Sequence, residues 1–228
     1  MATCYFFKHQ FCLGPSTRGL LSEDSMIGRV RLCLLSIGLL LHAPVGTAQM
    51  GPPPTPAAPD GVSAVGIIAP PSEPGERLVI SGQALAPDGV TPAAGVVIYA
   101  YQTDATGEYH NDANRVARLH GWAKTDQSGH FEFRTIRPAP YPNRRIPAHV
   151  HFHAWGNGYP LQWTEELHFA GDPLLSSRDS SDSRALGEFA NIRPLTRDAD
   201  GVWHCSIRFR LSRQTNYPAQ DRDDPRTR

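Results

Sequence analysis

From Trp203 to Leu211 the side chains alternate between apolar and polar at every step, Trp-His-Cys-Ser-Ile-Arg-Phe-Arg-Leu. A period of two is the period of a β-strand. It puts Trp203, Cys205, Ile207, Phe209 and Leu211 on a core face and His204, Ser206, Arg208 and Arg210 on the other. Cys205 on that face reads as a small inert hydrophobe. Further strands are expected at Leu78 to Ala84, Val96 to Gln102, His130 to Thr135, Ala148 to Trp155 and Leu161 to Phe169. Turn signals separate them at Pro87-Asp88-Gly89, Thr106-Gly107 and Asp126-Gln127-Ser128-Gly129. With 20 Gly and 21 Pro and no amphipathic helix of convincing length, the expected architecture is an all-β, antiparallel β-sandwich with long irregular loops.

Residues 32–41 form the one strongly apolar run. As a helix it would span roughly 15 Å, about half a bilayer core, so no membrane anchor is expected. Arg29 and Arg31 precede it, and small residues follow at Gly46-Thr47-Ala48. Met26 to Ala48 therefore reads as a secretory signal peptide, with residues 1–48 as the leader region and Met26 as an alternative start. The mature chain is then exported, to the periplasm or beyond. Cleavage after Ala48 removes Cys4, Cys12 and Cys33 and leaves Cys205 alone, so the core and not a disulfide must hold the domain. The full chain balances 22 basic against 22 acidic residues, a charge that excludes a nucleic-acid or other polyanionic partner. Residues 49–75, rich in Pro, Gly and Ala, read as a linker or surface-hugging arm. Residues 76–212 read as one domain and 213–228 as a polar tail.

The chemistry concentrates in His149-Val150-His151-Phe152-His153. In a strand, the three imidazoles share a face, and two at this spacing can bind one metal ion, with the third a candidate supporting partner. The alternative is a sheet face that is merely His-rich. Cys205 is committed to the core, which excludes thiolate zinc and iron–sulfur sites. The remaining ligands are either carboxylate, from Glu165, Glu166 or Asp172 in a facial triad for Fe(II), or phenolate, from Tyr141 in a Pro-braced loop and Tyr109 after Thr106-Gly107-Glu108.

The segment from Gly82 to Leu174 resembles the core of the intradiol ring-cleavage dioxygenases, the family of catechol and protocatechuate 3,4-dioxygenases. The resemblance rests on an ordered set of pieces. These are Ile80-Ser81-Gly82, Val97 to Gln102 leading to Gly107-Glu108-Tyr109, Thr125 to Ile136, Pro138-Ala139-Pro140-Tyr141-Pro142, Pro147 to Phe152, and Phe169 to Pro173. It implies a non-haem Fe(III) held by Tyr109, Tyr141, His149 and His151 on loops of the sandwich. It also implies a small catecholic substrate, O2 as co-substrate, a muconate-type diacid as product, and a homodimer as an assembly common in the family. Tyr141 would be the catalytic ligand that leaves the iron and takes a substrate proton, and hard phenolates suit the ferric state. Three features depart from the family. The spacing from Tyr141 to His149 is short. Ile146 stands where the family has Arg, which leaves Arg144 or Arg145 to reach the substrate. Glu166 replaces a Gln, and a carboxylate there disfavours an anionic ring substituent. Two other readings compete: an exported transthyretin-like binding module without catalysis, and a copper or Fe(II) oxygenase built on His149, His151 and His153.

Overall fold

The strands assemble as two facing layers. A computed structural model describes residues 54–217 and residue 226. The leader region and its signal-peptide assignment lie outside the described residues. In chain order the elements are β1 (Val65–Ile67), β2 (Arg77–Leu85), β3 (Val97–Gln102), β4 (Leu119–Lys124), β5 (His130–Ile136), β6 (His149–Gly156), β7 (Tyr159–Trp163) and β8 (Leu167–Phe169). They are followed by α1 (Ser177–Ala185), β9 (Ile192–Arg193), β10 (Thr196–Arg197) and β11 (Trp203–Arg210). One sheet runs β1-β5-β2-β11-β10 and the other β4-β3-β6-β8-β9, with β7 also paired to β6.

The pleat sets the core. Leu78, Ile80, Phe131, Phe133, Ile207 and Phe209 from the first sheet meet Ile98, Ala100, Val150, Phe152 and Ala154 from the second, all buried in one cluster. Phe131 stacks on Phe209 at 5.6 Å. Close approach is built into β2, where a Cβ on Gly82 would stand 1.9 Å from the Phe131 ring. Cys205 is buried, and burial pushes its thiol up to about 12. The turn signals act through side-chain acceptors. Asp88 takes the amides of Val90 and Thr91, and Asp126 those of Ser128 and His130.

Several expectations need correction. The sandwich is mixed and not purely antiparallel, since β1 pairs parallel with β5, β2 with β11 and β8 with β9. The segment expected as one strand from Leu161 to Phe169 is two, interrupted at residues 164–166. Helix α1 has no apolar face to announce it. Its Ser176–Asp179 capping box, a local signal, starts it instead. The domain also reaches beyond 76–212. Residues 65–67 add a strand, and Ile68 and Ala69 are core residues. At the other end Tyr217 is buried, and Thr215 donates to the Leu161 carbonyl at 2.6 Å. Pro and polar residues conceal these contacts because the arm's few apolar side chains carry no period. Among the described residues, no helix is long and apolar enough to cross a membrane.

Candidate metal centre

Strand β6 is paired along one edge with β3 and along the other with β7 and β8, and its pleat sends alternate side chains to opposite faces. Val150 and Phe152 enter the sandwich core, and the three histidines project to the opposite face. There the loops after β3 and β5 cover His149 and His151. Cross-strand pairing sets Tyr101 opposite His151, and their rings stack at 4.5 Å with 12° between planes. His153 takes a different course. It is buried, and its Nδ1 meets the Thr55 hydroxyl at 2.6 Å and the Tyr217 hydroxyl at 2.8 Å. Thr55 and Tyr217 also contact each other. The third histidine therefore ties the two terminal arms to β6 and stays out of the site.

Asp104 shapes the loop carrying Tyr109. Its Oδ1 accepts from the Thr106 amide (2.8 Å), the Thr106 hydroxyl (2.7 Å) and the Glu108 amide (3.2 Å). Its Oδ2 faces His110 Nε2 at 3.0 Å and Arg118 at 3.3 Å. Burial alone would raise the Asp104 pKa, but these donors and the His110 ring outweigh it and hold the carboxyl at about 2. Its backbone carbonyl accepts from Gly107 N and Ala139 N, joining this loop to the one carrying Tyr141. The two loops touch where Gly107, at φ +87°, leaves room. A Cβ there would lie 2.2 Å from the Pro140 carbonyl oxygen.

The result is a closed cycle of four donor atoms. Tyr109 Oη is 2.7 Å from Tyr141 Oη, which is 3.3 Å from His149 Nε2. His149 Nε2 is 2.9 Å from His151 Nε2, which is 2.9 Å from Tyr109 Oη. Partners behind the rings decide the tautomers. His149 Nδ1 lies 2.7 Å from the Pro147 carbonyl, and His151 Nδ1 lies 2.9 Å from Glu166 Oε1. Both partners accept only, so in neutral rings both Nδ1 atoms carry the proton and both Nε2 atoms offer lone pairs. Burial, with His151 beside it, lowers His149 to about 4, which keeps its ring neutral.

Two lone pairs facing each other at 2.9 Å repel unless a cation lies between them. Two nitrogens each about 2.1 Å from one ion, roughly at right angles, stand about 3 Å apart. The phenols make the same demand. Burial, followed by the hydrogen bond that Tyr109 donates to Tyr141, raises the pKa of Tyr109. Burial also raises that of Tyr141, against the smaller effect of Tyr109. Buried phenols become phenolates only beside strong positive charge. The donor set fits a hard metal ion.

Beside the cycle opens a cavity of about 290 Å³ lined by Gly107, Glu108, Tyr109, Tyr141, Pro142, Asn143 and Arg144. Tyr109, Tyr141, His149 and His151 are thus brought together, and Arg144 borders the adjoining space. Arg145 is exposed and outside that lining. Of the three carboxylates considered as ligands, Glu165 lines a different cleft, with Gln162 and Trp163, and Asp172 accepts the Ala148 amide at 2.9 Å. Glu166 alone approaches the histidines, and His149, His151 and Glu166 each present a ligand atom within 4.8 Å of the others. Asp104, Tyr101 and the Pro147 carbonyl were not anticipated as parts of the site. The Asp-x-Thr spacing at residues 104–106 is the one local signal that points to the first of them.

The architecture is a two-layer β-sandwich with a cation-suited donor cycle formed by strand β6 and two loops at one sheet face. A family model described as "Dioxygenase" matches residues 55–194. Catechol 1,2-dioxygenase 1 of Acinetobacter lwoffii is 34% identical over 136 residues, 51% of this chain and 42% of that protein. Chlorocatechol 1,2-dioxygenase of Rhodococcus opacus is 31% identical over 166 residues, 63% of this chain and 62% of that protein. The chain thus spans roughly half the length of these curated relatives. Among solved structures, the dioxygenase domain of a dioxygenase carbohydrate-binding protein fusion from Streptomyces sp. SirexAA-E superposes with a TM-score of 0.53 at 29% identity. That match covers 72% of this chain and 96% of that one. The 3-chlorocatechol 1,2-dioxygenase of Rhodococcus opacus gives 0.53 at 26% identity, covering 71% and 70%. The chain belongs to the intradiol ring-cleavage dioxygenase family.

Proposed function

We propose that the protein is an exported, non-haem Fe(III)-dependent dioxygenase that opens a catechol-type ring with O2 to a muconate-type diacid. The single observation behind this reading is the donor cycle, in which two imidazole nitrogens and two phenol oxygens converge within 2.7 to 3.3 Å of their neighbours. Tyr109, Tyr141, His149 and His151 would hold the iron. When bound, ferric iron supplies the Lewis acidity that favours an ionised catechol and activates its ring toward O2.

The chain's own groups do the rest. The two phenolates favour the ferric over the ferrous state, because hard anionic oxygen prefers the higher charge. Tyr109 is wedged against Tyr101 and His151, with ring centroids at 6.0 and 6.3 Å, and so keeps its place. Tyr141 sits on the cavity wall at the head of an exposed stretch, Pro142 to Arg145. Its Oη takes a proton from an incoming ring hydroxyl, a general-base role. The Pro147 carbonyl and Glu166 keep both imidazoles in the ligating tautomer throughout. Both atoms of O2 enter the product, so no reductant is consumed.

The test is a visible spectrum of the iron-loaded protein and an oxygen-uptake assay with catechol. A phenolate-to-iron charge-transfer band that survives in His153→Asn, and that weakens and shifts in Tyr109→Phe, is the expected result, with a ring-opened diacid formed without added reductant. A colourless iron complex would overturn the reading. The His149, His151 and Glu166 triplet favours one second reading, an Fe(II) site with a carboxylate ligand. Oxygen uptake that needs a reductant would select it.

A further inference from the structure

The break between β7 and β8 places Glu166 behind a histidine of the donor cycle. Its Oε1 lies 2.9 Å from His151 Nδ1, on the side of the ring away from the phenols. Its backbone carbonyl accepts from Asn191 Nδ2 at 3.0 Å. Asn191 is held in turn, its amide donating to the buried Ser183 hydroxyl of α1 at 3.1 Å and its carbonyl accepting from the His168 amide at 2.9 Å. A helix with little to bury thus serves to fix the residue that fixes Glu166. His149 has no such partner. Its Nδ1 faces a neutral carbonyl, that of Pro147.

We infer that Glu166 is a positioning residue that makes the two histidines electronically unequal, using its negative charge to turn His151 into the stronger donor of the pair. The inference rests on the iron site proposed above. A carboxylate accepting the Nδ1 proton draws it partly off the ring and enriches Nε2 in electron density, whereas a peptide carbonyl does so far less. The richer nitrogen lowers the Lewis acidity of the ion it binds. Glu166 therefore tunes the site while staying outside the ligand set.

Glu166→Gln tests this, because the amide oxygen can still accept the Nδ1 proton while the charge is gone. In the full-length, iron-loaded protein, the phenolate charge-transfer band of the variant should move to longer wavelength. Its iron should be captured by a competing chelator with roughly 10- to 100-fold lower apparent affinity. Glu166→Asp, which keeps the charge, should restore part of both. A band and affinity unchanged in Glu166→Gln, with native protein coloured, would overturn this inference and leave the iron-site reading standing. Native protein without a charge-transfer band would overturn that reading first, and this inference with it. A control, Arg178→Ala on the exposed face of α1, should alter neither measurement.

Discussion

Asp104 offers the sharpest test of how the site is held. It touches no proposed metal ligand, yet both tyrosine loops depend on it. Replacing it with Ala removes the acceptor for the Thr106 hydroxyl and for the Thr106 and Glu108 amides, and the partner of Arg118 and His110. Two routes give the size of the effect. A single hydrogen bond to a charged acceptor contributes about 1.5–3 kcal/mol, and water reaching the freed amides offsets part of the loss of the others. The pKa drop from 3.8 to about 2 corresponds to about 2 kcal/mol of linked stability.

The sign of the pH effect follows from the depressed value. Stability contributed by Asp104 is fully present above pH 4 or so and is lost as pH falls toward 2. Urea unfolding of native protein and Asp104→Ala should therefore differ by about 2 kcal/mol at pH 7, a melting-point difference of about 4–8 °C for a domain of this size. The gap should narrow steadily below pH 4. Iron loading of the variant should also weaken, because Tyr109 no longer has a fixed loop. A stability gap that is absent at pH 7, or constant from pH 7 to pH 2.5, would refute the reasoning.

Other predictions follow from single contacts. Gly107→Ala should strip the charge-transfer band while leaving the far-ultraviolet circular dichroism of the sheets intact, since its Cβ drives the Pro140 carbonyl from the Tyr141 loop. Phe152→Ala, a fully buried ring against Phe133 and Phe209, should lower the unfolding free energy by about 3–5 kcal/mol in denaturant titration. Cys205, buried and raised to about 12, should resist alkylation at pH 8 in the native protein and react at once in urea. Deleting residues 213–228 should lower the melting temperature, since Tyr217 and its contact to His153 go with them.

How much of this was legible beforehand depends on the range of the forces involved. Alternation from Trp203 to Leu211 matches β11 to within a residue at each end, because a pleat repeats the same local choice at every second position. The paired imidazoles at 149 and 151 were legible for the same reason. The break at 164–166 was not. It arises where β6 leaves β7 for β8, a change of partner invisible to a local pattern. Strand β1 escaped notice because three residues beside prolines hold no period, and only pairing with β5 makes them a strand.

The sequence by itself determined the β class, the turn positions and the shared face of His149 and His151, all set by neighbours a few residues away. Local context offered Tyr109 and Tyr141 only as one of two ligand options beside the carboxylates, and resemblance to a family chose between them. Tertiary structure alone decided that four donor atoms close into one cycle, that His153 serves the terminal arms and that Glu166 stands behind His151. Each of those depends on contacts between residues distant in the chain. Thr55 and His153, 98 positions apart, meet only because hydrophobic burial and backbone pairing have already folded the sandwich around them.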